Sequence, residues 1–304
     1  MDIKLSDINI RDPYIVPLPA EQRYLMFGTN GRNAWSGPGL GFDCFVSNDL
    51  ENWSGPIPAF QPPADFWANT QFWAPECHFW RERYYLLASF ARDKRGRGTQ
   101  VMIADKPEGP YRVHSDGPVT PRGWECLDGT LFVDDDGAPW MVFCHEWVQV
   151  EDGEMCAVRL AADLSAAAGK PMLLFRASEA GWSKPFEANG RSNNRVTDGP
   201  FLYRTTGGRL IMLWSTVGVD GYTLGYASSE TGRIQGPWRQ AAEPLFSEDG
   251  GHGMIFRAFD GRLLLALHTP NTPLNERPAF LEIADRGDSL AVMRHRARGM
   301  RAKA

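Results

Sequence analysis

Five times along this chain a polar residue stands at the head of an apolar strand, and a short polar or glycine-containing turn then leads into a second apolar strand. The first strands are Asp12-Pro-Tyr-Ile-Val16, Glu76-Cys-His-Phe-Trp80, Asp128-Gly-Thr-Leu-Phe-Val133, Asp198-Gly-Pro-Phe-Leu-Tyr-Arg204 and His252-Gly-Met-Ile-Phe256. Their partners are Arg23–Gly28, Arg83–Ala88, Trp140–Cys144, Arg209–Trp214 and Arg262–Leu267. The heads stand 64, 52, 70 and 54 residues apart, enough chain for one multi-stranded sheet per repeat. A repeat of this period points to a solenoid or a propeller, and aromatic-rich strands with Gly-rich turns favour propeller blades. The predicted fold is therefore all-β, a five-bladed β-propeller over residues 1–290 as one domain, with 291–304 as a basic C-terminal tail.

The repeat extends beyond the hairpin. Ser47–Trp53, Ala104–Tyr111 and Ala227–Trp238 are polar turns that end on an aromatic residue, as expected where a third strand turns into an exposed fourth. Three stretches read differently. Ala161–Ser178 has a helical and turn-like composition, and Phe186–Val196 is polar and irregular. Lys94-Arg-Gly-Arg-Gly98 reads as a solvated basic connection, since no helix start follows to add backbone donors for a phosphate.

If the first strand of each blade is innermost, the five heads converge on one axial cavity. Buried acids raise one another's pKa and desolvation adds to that, so such a row asks for a chemical reason. Taken singly, Asp-Gly and Asp-Pro are ordinary turn formers, and recurrence at one point of the repeat is what argues against that for Asp12, Asp128 and Asp198; satisfying backbone groups around the axis is an alternative role for Glu76 and His252. Asp12, Asp128 and Asp198 are thus candidate catalytic residues. Glu146 joins them, because a second strand returns to the end where the first began and places it near Asp128. Trp35, Trp73, Trp147 and Trp214, with Glu76 and Arg277, are candidate substrate-binding residues. A lone imidazole without a second nitrogen or sulfur ligand suits a hydrated hard cation better than zinc, so any metal, calcium first, is expected near His252.

Composition removes other classes. A net charge of −5 leaves no basic excess for nucleic acid. Cys44, Cys77, Cys126, Cys144 and Cys156 form no Cys-x-x-Cys pair and read as reduced core thiols. No apolar stretch approaches bilayer length, and the first residues lack a leader pattern, so the expected location is cytoplasmic, or periplasmic or secreted if a leader has been removed. Eleven Trp and 17 Phe suit propeller packing and equally suit sugar faces lying on aromatic rings.

The motifs together resemble glycoside hydrolase family 43, the five-bladed propeller glycosidases. Arg11-Asp-Pro13 looks like the first-blade motif, Trp73-Ala-Pro75 the second, Asp128-Gly the third and Gly251-His-Gly253 the fifth. The resemblance implies that Asp12 is the general base and that Asp128 positions the acid and tunes its pKa. It implies also that His252 sits on the axis and helps hold calcium through water. The departure is in the fourth blade, where Thr197-Asp-Gly-Pro200 stands in place of Glu-Gly-Pro. Asp is one methylene shorter, which leaves Asp198 and Glu146 as rival acids and a non-catalytic carbohydrate-binding propeller as the alternative. The expected function is an inverting exo-glycosidase that removes terminal arabinofuranosyl, xylosyl, galactosyl or galactofuranosyl residues, with no cofactor required for the chemistry.

Overall fold

The computed structural model describes residues 2–293 apart from 32, 33, 36 and 93–95. Part of the predicted basic loop, and the basic tail from residue 294 onward, lie outside the described residues. Five four-layered antiparallel blades account for nearly all strands. From the axis outward, blade 1 consists of Arg11–Leu18, Arg23–Thr29, Phe42–Ser47 and Asn52–Phe60, with Ile3–Lys4 added at its edge. Blade 2 consists of Thr70–Trp80, Arg83–Arg92, Gly96–Ala104 and Arg112–Val113. Blade 3 consists of Cys126–Val133, Pro139–His145, Glu154–Arg159 and Met172–Arg176. Blade 4 consists of Asp198–Arg204, Leu210–Gly218, Gly221–Ser229 and Trp238–Gln240, and blade 5 of Gly251–Arg257, Leu263–Thr269, Arg277–Asp285 and Leu290–Val292.

The second strand of each blade is apolar at nearly every position because both of its faces are buried, each against a different neighbouring blade. Strand period two then assigns alternate residues to alternate neighbours. Leu25 and Phe27 pack towards blade 2, whereas Tyr24 and Met26 pack towards blade 5. Met212 and Trp214 face blade 3, whereas Ile211 and Leu213 face blade 5. The buried hydrophobic clusters among the described residues accordingly sit between blades, so the core is a ring of interfaces around the axis.

Several local expectations need correction. Ala161–Ser178 is not helical: it contains the outer strand Met172–Arg176, whose Phe175 is drawn into the blade 3–4 core with Trp214. The α-helix among the described residues is the short turn Trp147–Val150, just after the second strand of blade 3. Phe186–Val196 holds a two-stranded hairpin, Phe186–Ala188 with Arg191–Asn194, tied by three hydrogen bonds from the Asn194 amide to backbone carbonyls. Blade 5 also runs to Val292, into the stretch read as tail. The five cysteines are free and buried.

Candidate active site

Each inner strand carries a bulge at its leading end. The register steps by three residues on the inner strand and by two on its partner, between Arg11↔Thr29 and Tyr14↔Phe27, and likewise from Trp73↔Ser89 to Glu76↔Leu87. The same step occurs at Leu127↔Cys144, Asp198↔Ser215 and Gly251↔His268. The extra residue is left-handed in every blade: Asp12 at φ 53°, Ala74 at 46°, Asp128 at 55°, Gly199 at 54° and His252 at 51°. A non-glycine residue in this region costs on the order of 1 kcal/mol or more, and such residues gather where backbone geometry serves a function.

The bulge corrects the phase of the repeat. Asp12, Asp128 and His252 are equivalent, but the corresponding residue in blade 2 is Ala74 and in blade 4 is Gly199. Asp198 therefore stands one residue before the bulge. Glu76 lies two residues beyond it, deeper along the strand, where its carboxylate meets His78 Nε2 at 2.9 Å. The aligned triplets are Arg11-Asp-Pro, Trp73-Ala-Pro, Leu127-Asp-Gly, Asp198-Gly-Pro and Gly251-His-Gly.

A hydrogen-bond relay fixes these bulges around the ring. The amide of each left-handed residue donates to the side chain at the end of the preceding blade's second strand: Ala74 to Thr29 Oγ1 at 2.7 Å, Asp128 to Ser89 Oγ at 2.7 Å, and His252 to Ser215 Oγ at 2.8 Å. Asp12 donates across the seam between blades 5 and 1 to His268 Nδ1 at 3.2 Å. In blade 3 the corresponding position is Cys144, a poor acceptor, and the Gly199 amide turns instead to Asp128 Oδ2 at 3.0 Å.

The side chains then meet on the axis. His252 Nδ1 lies 3.1 Å from Asp12 Oδ1 and 3.6 Å from Asp128 Oδ2. Asp12 also accepts from Thr29 Oγ1 at 2.7 Å, and Asp198 accepts from Tyr222 Oη at 3.1 Å. Gly199 is required beside them: a Cβ there would stand 2.7 Å from the His252 ring. Burial alone would push Asp12 up, but the His252 imidazolium and the Arg11 guanidinium hold it well below the usual carboxylate range. Burial raises both Asp128 and Asp198; the charge of Asp12 adds to the rise of Asp128 and the charge of Asp128 to that of Asp198, while His252 pulls both back. Desolvation would lower His252, but Asp12 and Asp128 outweigh it and push the imidazole up to about 10. The cluster thus divides into a firmly ionised Asp12, a cationic His252 and two raised acids, Asp198 at about 7 standing above Asp128 at about 6, so that Asp198 is the last of the carboxyls to give up its proton.

Around this centre, Arg97 donates through Nη1 to Glu146 in a close ion pair and through Nη2 to Gln71 Oε1 at 2.6 Å, and its guanidinium lies 4.4 Å over the Trp73 ring. Burial pushes Glu146 up to about 7 against the pull of Arg97. Trp73 and Trp35 face each other at 5.5 Å, and Arg11 lies 4.6 Å over the exposed Trp35 ring. Trp147 packs on Phe186 of the added hairpin.

Three readings of the sequence change here. Trp214 binds no substrate: it is fully enclosed between blades 3 and 4, and its indole donates to Gln240. Arg277 is occupied by the carbonyls of Ser6 and Glu276 and ties the N-terminal segment to blade 5. Arg97, read as part of a solvated loop, is instead in a blade 2 strand with its side chain 11% exposed. Sequence reasoning also gave no role to Tyr222, Thr29 or His268. Their signal was positional, the ends of second and third strands facing the next blade's motif. His268 is buried and lowered to about 3 by desolvation, hence neutral; Nδ1 accepts from Asp12, so Nε2 is the donor to Asn271 Oδ1.

Among the described residues no group of three or more His, Cys, Asp or Glu side chains is placed to hold a metal ion. His252 Nδ1 is already committed to the two aspartates, so the side chains offer no direct ligand set for calcium. Also among the described residues, no helix is long and apolar enough to cross a membrane.

A five-bladed ring with three carboxyl groups and an imidazole on its axis is the architecture of a glycosidase propeller. The family model "Glycosyl hydrolases family 43" matches residues 7–286, and the chain belongs to that family. A solved endo-arabinase from Bacteroides thetaiotaomicron superposes with a TM-score of 0.87 at 38% identity, covering 94% of this chain and 98% of that one. A thermostable family-43 glycoside hydrolase shares the fold at a TM-score of 0.79 and 23% identity, covering 93% and 92%. A xylosidase/arabinosidase of Humicola insolens is 39% identical over 82 residues, which is 27% of this chain and 24% of that protein. A β-D-galactofuranosidase of Aspergillus niger is 32% identical over 114 residues, 34% of each chain. These matches span only about a quarter to a third of the two relatives.

Proposed function

We propose that the protein is an inverting glycoside hydrolase acting on arabinofuranosyl or xylosyl linkages, with Asp12 as general base and Asp198 as general acid. The observation that carries this reading is the charge division on the axis: one carboxyl group held ionised by His252 and Arg11, another held protonated by burial beside Asp128. Inversion needs those two states on opposite faces of the sugar, one to activate water and one to protonate the leaving oxygen, with carboxyl groups about 6.5–9.5 Å apart. Asp128 then keeps the proton on Asp198 by repulsion and, through the Gly199 amide, fixes the backbone that carries Asp198.

Asp198 is favoured over Glu146 as the donor. A proton on Glu146 would weaken its ion pair with Arg97, whereas Asp198 is hydrogen-bonded to the neutral Tyr222 phenol and raised by the charge of Asp128. The endo-arabinase neighbour supports an arabinan-type chain as substrate, and the partial relatives keep xylosyl and galactofuranosyl linkages in the test set. Removal of terminal residues remains the proposed mode, although that neighbour's name points to internal cleavage. Aryl glycosides of arabinofuranose, xylose, galactofuranose and galactose test the activity, and the anomer first released, followed by NMR, tests inversion. Absence of turnover on all of these and on arabinan would overturn the reading in favour of a sugar-binding propeller, which the shorter Asp198 keeps in view.

Any calcium is proposed to sit near His252 on the axis, held largely through water. Elemental analysis and assay after chelation test this: no calcium bound and unchanged activity would remove it.

A further inference from the structure

A hollow of about 700 Å³ opens over blade 2. One wall is the connection from blade 1, with Trp67. Another is the segment that follows Val113 into blade 3, with Asp116, Arg122 and Trp124, and the floor includes Arg97 and Gln100. Both connections join an outer strand to the next inner strand, so they lie on the face where the bulges and the acids open. Arg97 belongs to hollow and site alike: it lines the hollow while its guanidinium is bonded to Glu146 and Gln71 and lies over Trp73.

The walls are fixed before any ligand arrives. Gln100, 1% exposed, accepts the Trp67 indole N–H and donates to the Ser115 carbonyl at 2.8 Å, clamping both walls to one strand. Arg92 donates to the Trp67 carbonyl at 3.0 Å. Trp124 is stacked on His145 at 4.2 Å, and that ring is itself held between Glu154 and Gln149. Arg97 Nε is buried without a hydrogen-bond partner, an unspent donor on the one side chain that hollow and site share.

The chemistry of the lining selects the ligand. Indole rings offer flat apolar surface, and carboxylates beside guanidinium groups pair with both hydrogens and lone pairs of hydroxyls. The acids disfavour a phosphate or nucleic-acid ligand, and the charges disfavour a purely apolar one. The volume lies within the usual range for a small-molecule site.

We propose that this hollow binds the glycan units that extend beyond the sugar held over Asp12, Asp128 and Asp198, so that chain length, and not only the terminal sugar, sets the rate. The proposal rests on the glycosidase reading above. Binding energy from such remote units is realised in kcat/KM of long substrates and is absent from that of short ones.

The test compares arabino- and xylo-oligosaccharides, dimer to hexamer, with 4-nitrophenyl α-L-arabinofuranoside and the corresponding xyloside. In the parent protein kcat/KM should climb with length. In Trp67→Ala the ratio of hexamer to aryl-glycoside kcat/KM should fall by about tenfold, equivalent to about 1.4 kcal/mol. Arg122→Ser, on the exposed rim, should lower the same ratio and does not disturb the Gln100 clamp. Calorimetric binding of the hexamer to the Asp12→Asn protein, alone and combined with either change, gives a readout free of turnover. Hydrolysis that is independent of length, or ratios and hexamer binding unaltered in both variants, would overturn this proposal while leaving the glycosidase reading intact. Absence of any hydrolysis together with absence of hexamer binding would overturn both.

Discussion

The Gly199 amide donates to Asp128 Oδ2 at 3.0 Å, so the residue immediately after one candidate catalytic carboxyl is held by another. In the other four blades that amide is taken by a neutral hydroxyl or an imidazole. Asp128 is thereby bound to Asp198 by backbone geometry as well as by charge. Replacing Asp128 by Asn keeps an acceptor for the amide but removes the repulsion that raises Asp198. The alkaline limb of the pH–rate profile should therefore move down by about one pH unit or more in Asp128→Asn. A limb that stays in place would show that Asp128 does not tune the acid.

Asp198→Asn and Glu146→Gln should separate on leaving groups. Loss of the proton donor should slow oligosaccharides by about 10²–10⁴-fold while sparing activated aryl glycosides, which need little protonation. Asp198→Asn is expected to show that split and Glu146→Gln to slow both classes alike. The reverse pattern would transfer the acid role to Glu146.

The same two variants should have opposite effects on stability. A carboxyl whose pKa is raised by folding costs stability as pH climbs from the ordinary carboxylate range through the raised value, because the fold must then hold a charge it disfavours. Asp198→Asn removes that cost, so its melting temperature should exceed the parent's by about 3–6 °C near pH 8, with the difference vanishing near pH 4. Glu146→Gln leaves Arg97 buried without its countercharge and should destabilise by about 3 kcal/mol. Melting curves across pH decide both; a parent more stable than Asp198→Asn at pH 8 would contradict the proposed protonation state.

Asp12→Asn should lower kcat by about 10³-fold or more and retain oligosaccharide binding, measured by calorimetry. Retained turnover would place the base elsewhere.

Trp214 and Trp35 offer a contrast. Trp214→Ala opens the blade 3–4 core and should cost about 3–5 kcal/mol in denaturant unfolding. Trp35→Ala, at a ring 44% exposed over Arg11, should change stability by no more than about 0.5 kcal/mol and raise KM. Equal effects of the two on KM would restore Trp214 as a binding residue.

These contrasts mark what was legible in the sequence. The hairpin repeat and its turns announced five blades, because apolar second strands buried on both faces leave a plain signal. Asp12, Asp128 and His252 could be found because each carries the bulge itself. The phase of Asp198 and Glu76 could not, since a one-residue bulge displaces a side chain without changing the composition around it. Trp214 was misread for a related reason: its neighbours Leu213 and Ser215 do not reveal which of two buried faces a residue occupies. Arg97 and Glu146 lie 49 residues apart and Tyr222 and Asp198 24 apart. The first pair is fixed by the packing of blade 2 on blade 3, the second by the folding of blade 4, and others by the closing of the ring, none of which a local pattern reports.

That closing has its own consequence. Among the described residues no strand is exchanged between the ends of the chain: blade 1 is built from early residues and blade 5 from late ones. The join is made by side chains, Arg11 to Glu276 at 3.1 Å and to Asn271, Asn9 to the Glu276 carbonyl, and Arg277 to Ser6. The Asp12 amide is anchored on His268 across that same join. The join therefore passes through the reactive centre, and a ring that springs open there releases the base before any blade melts. Turnover is then a gauge of ring integrity, expected to vanish at lower denaturant than the fluorescence of Trp214, buried on the opposite side of the circle.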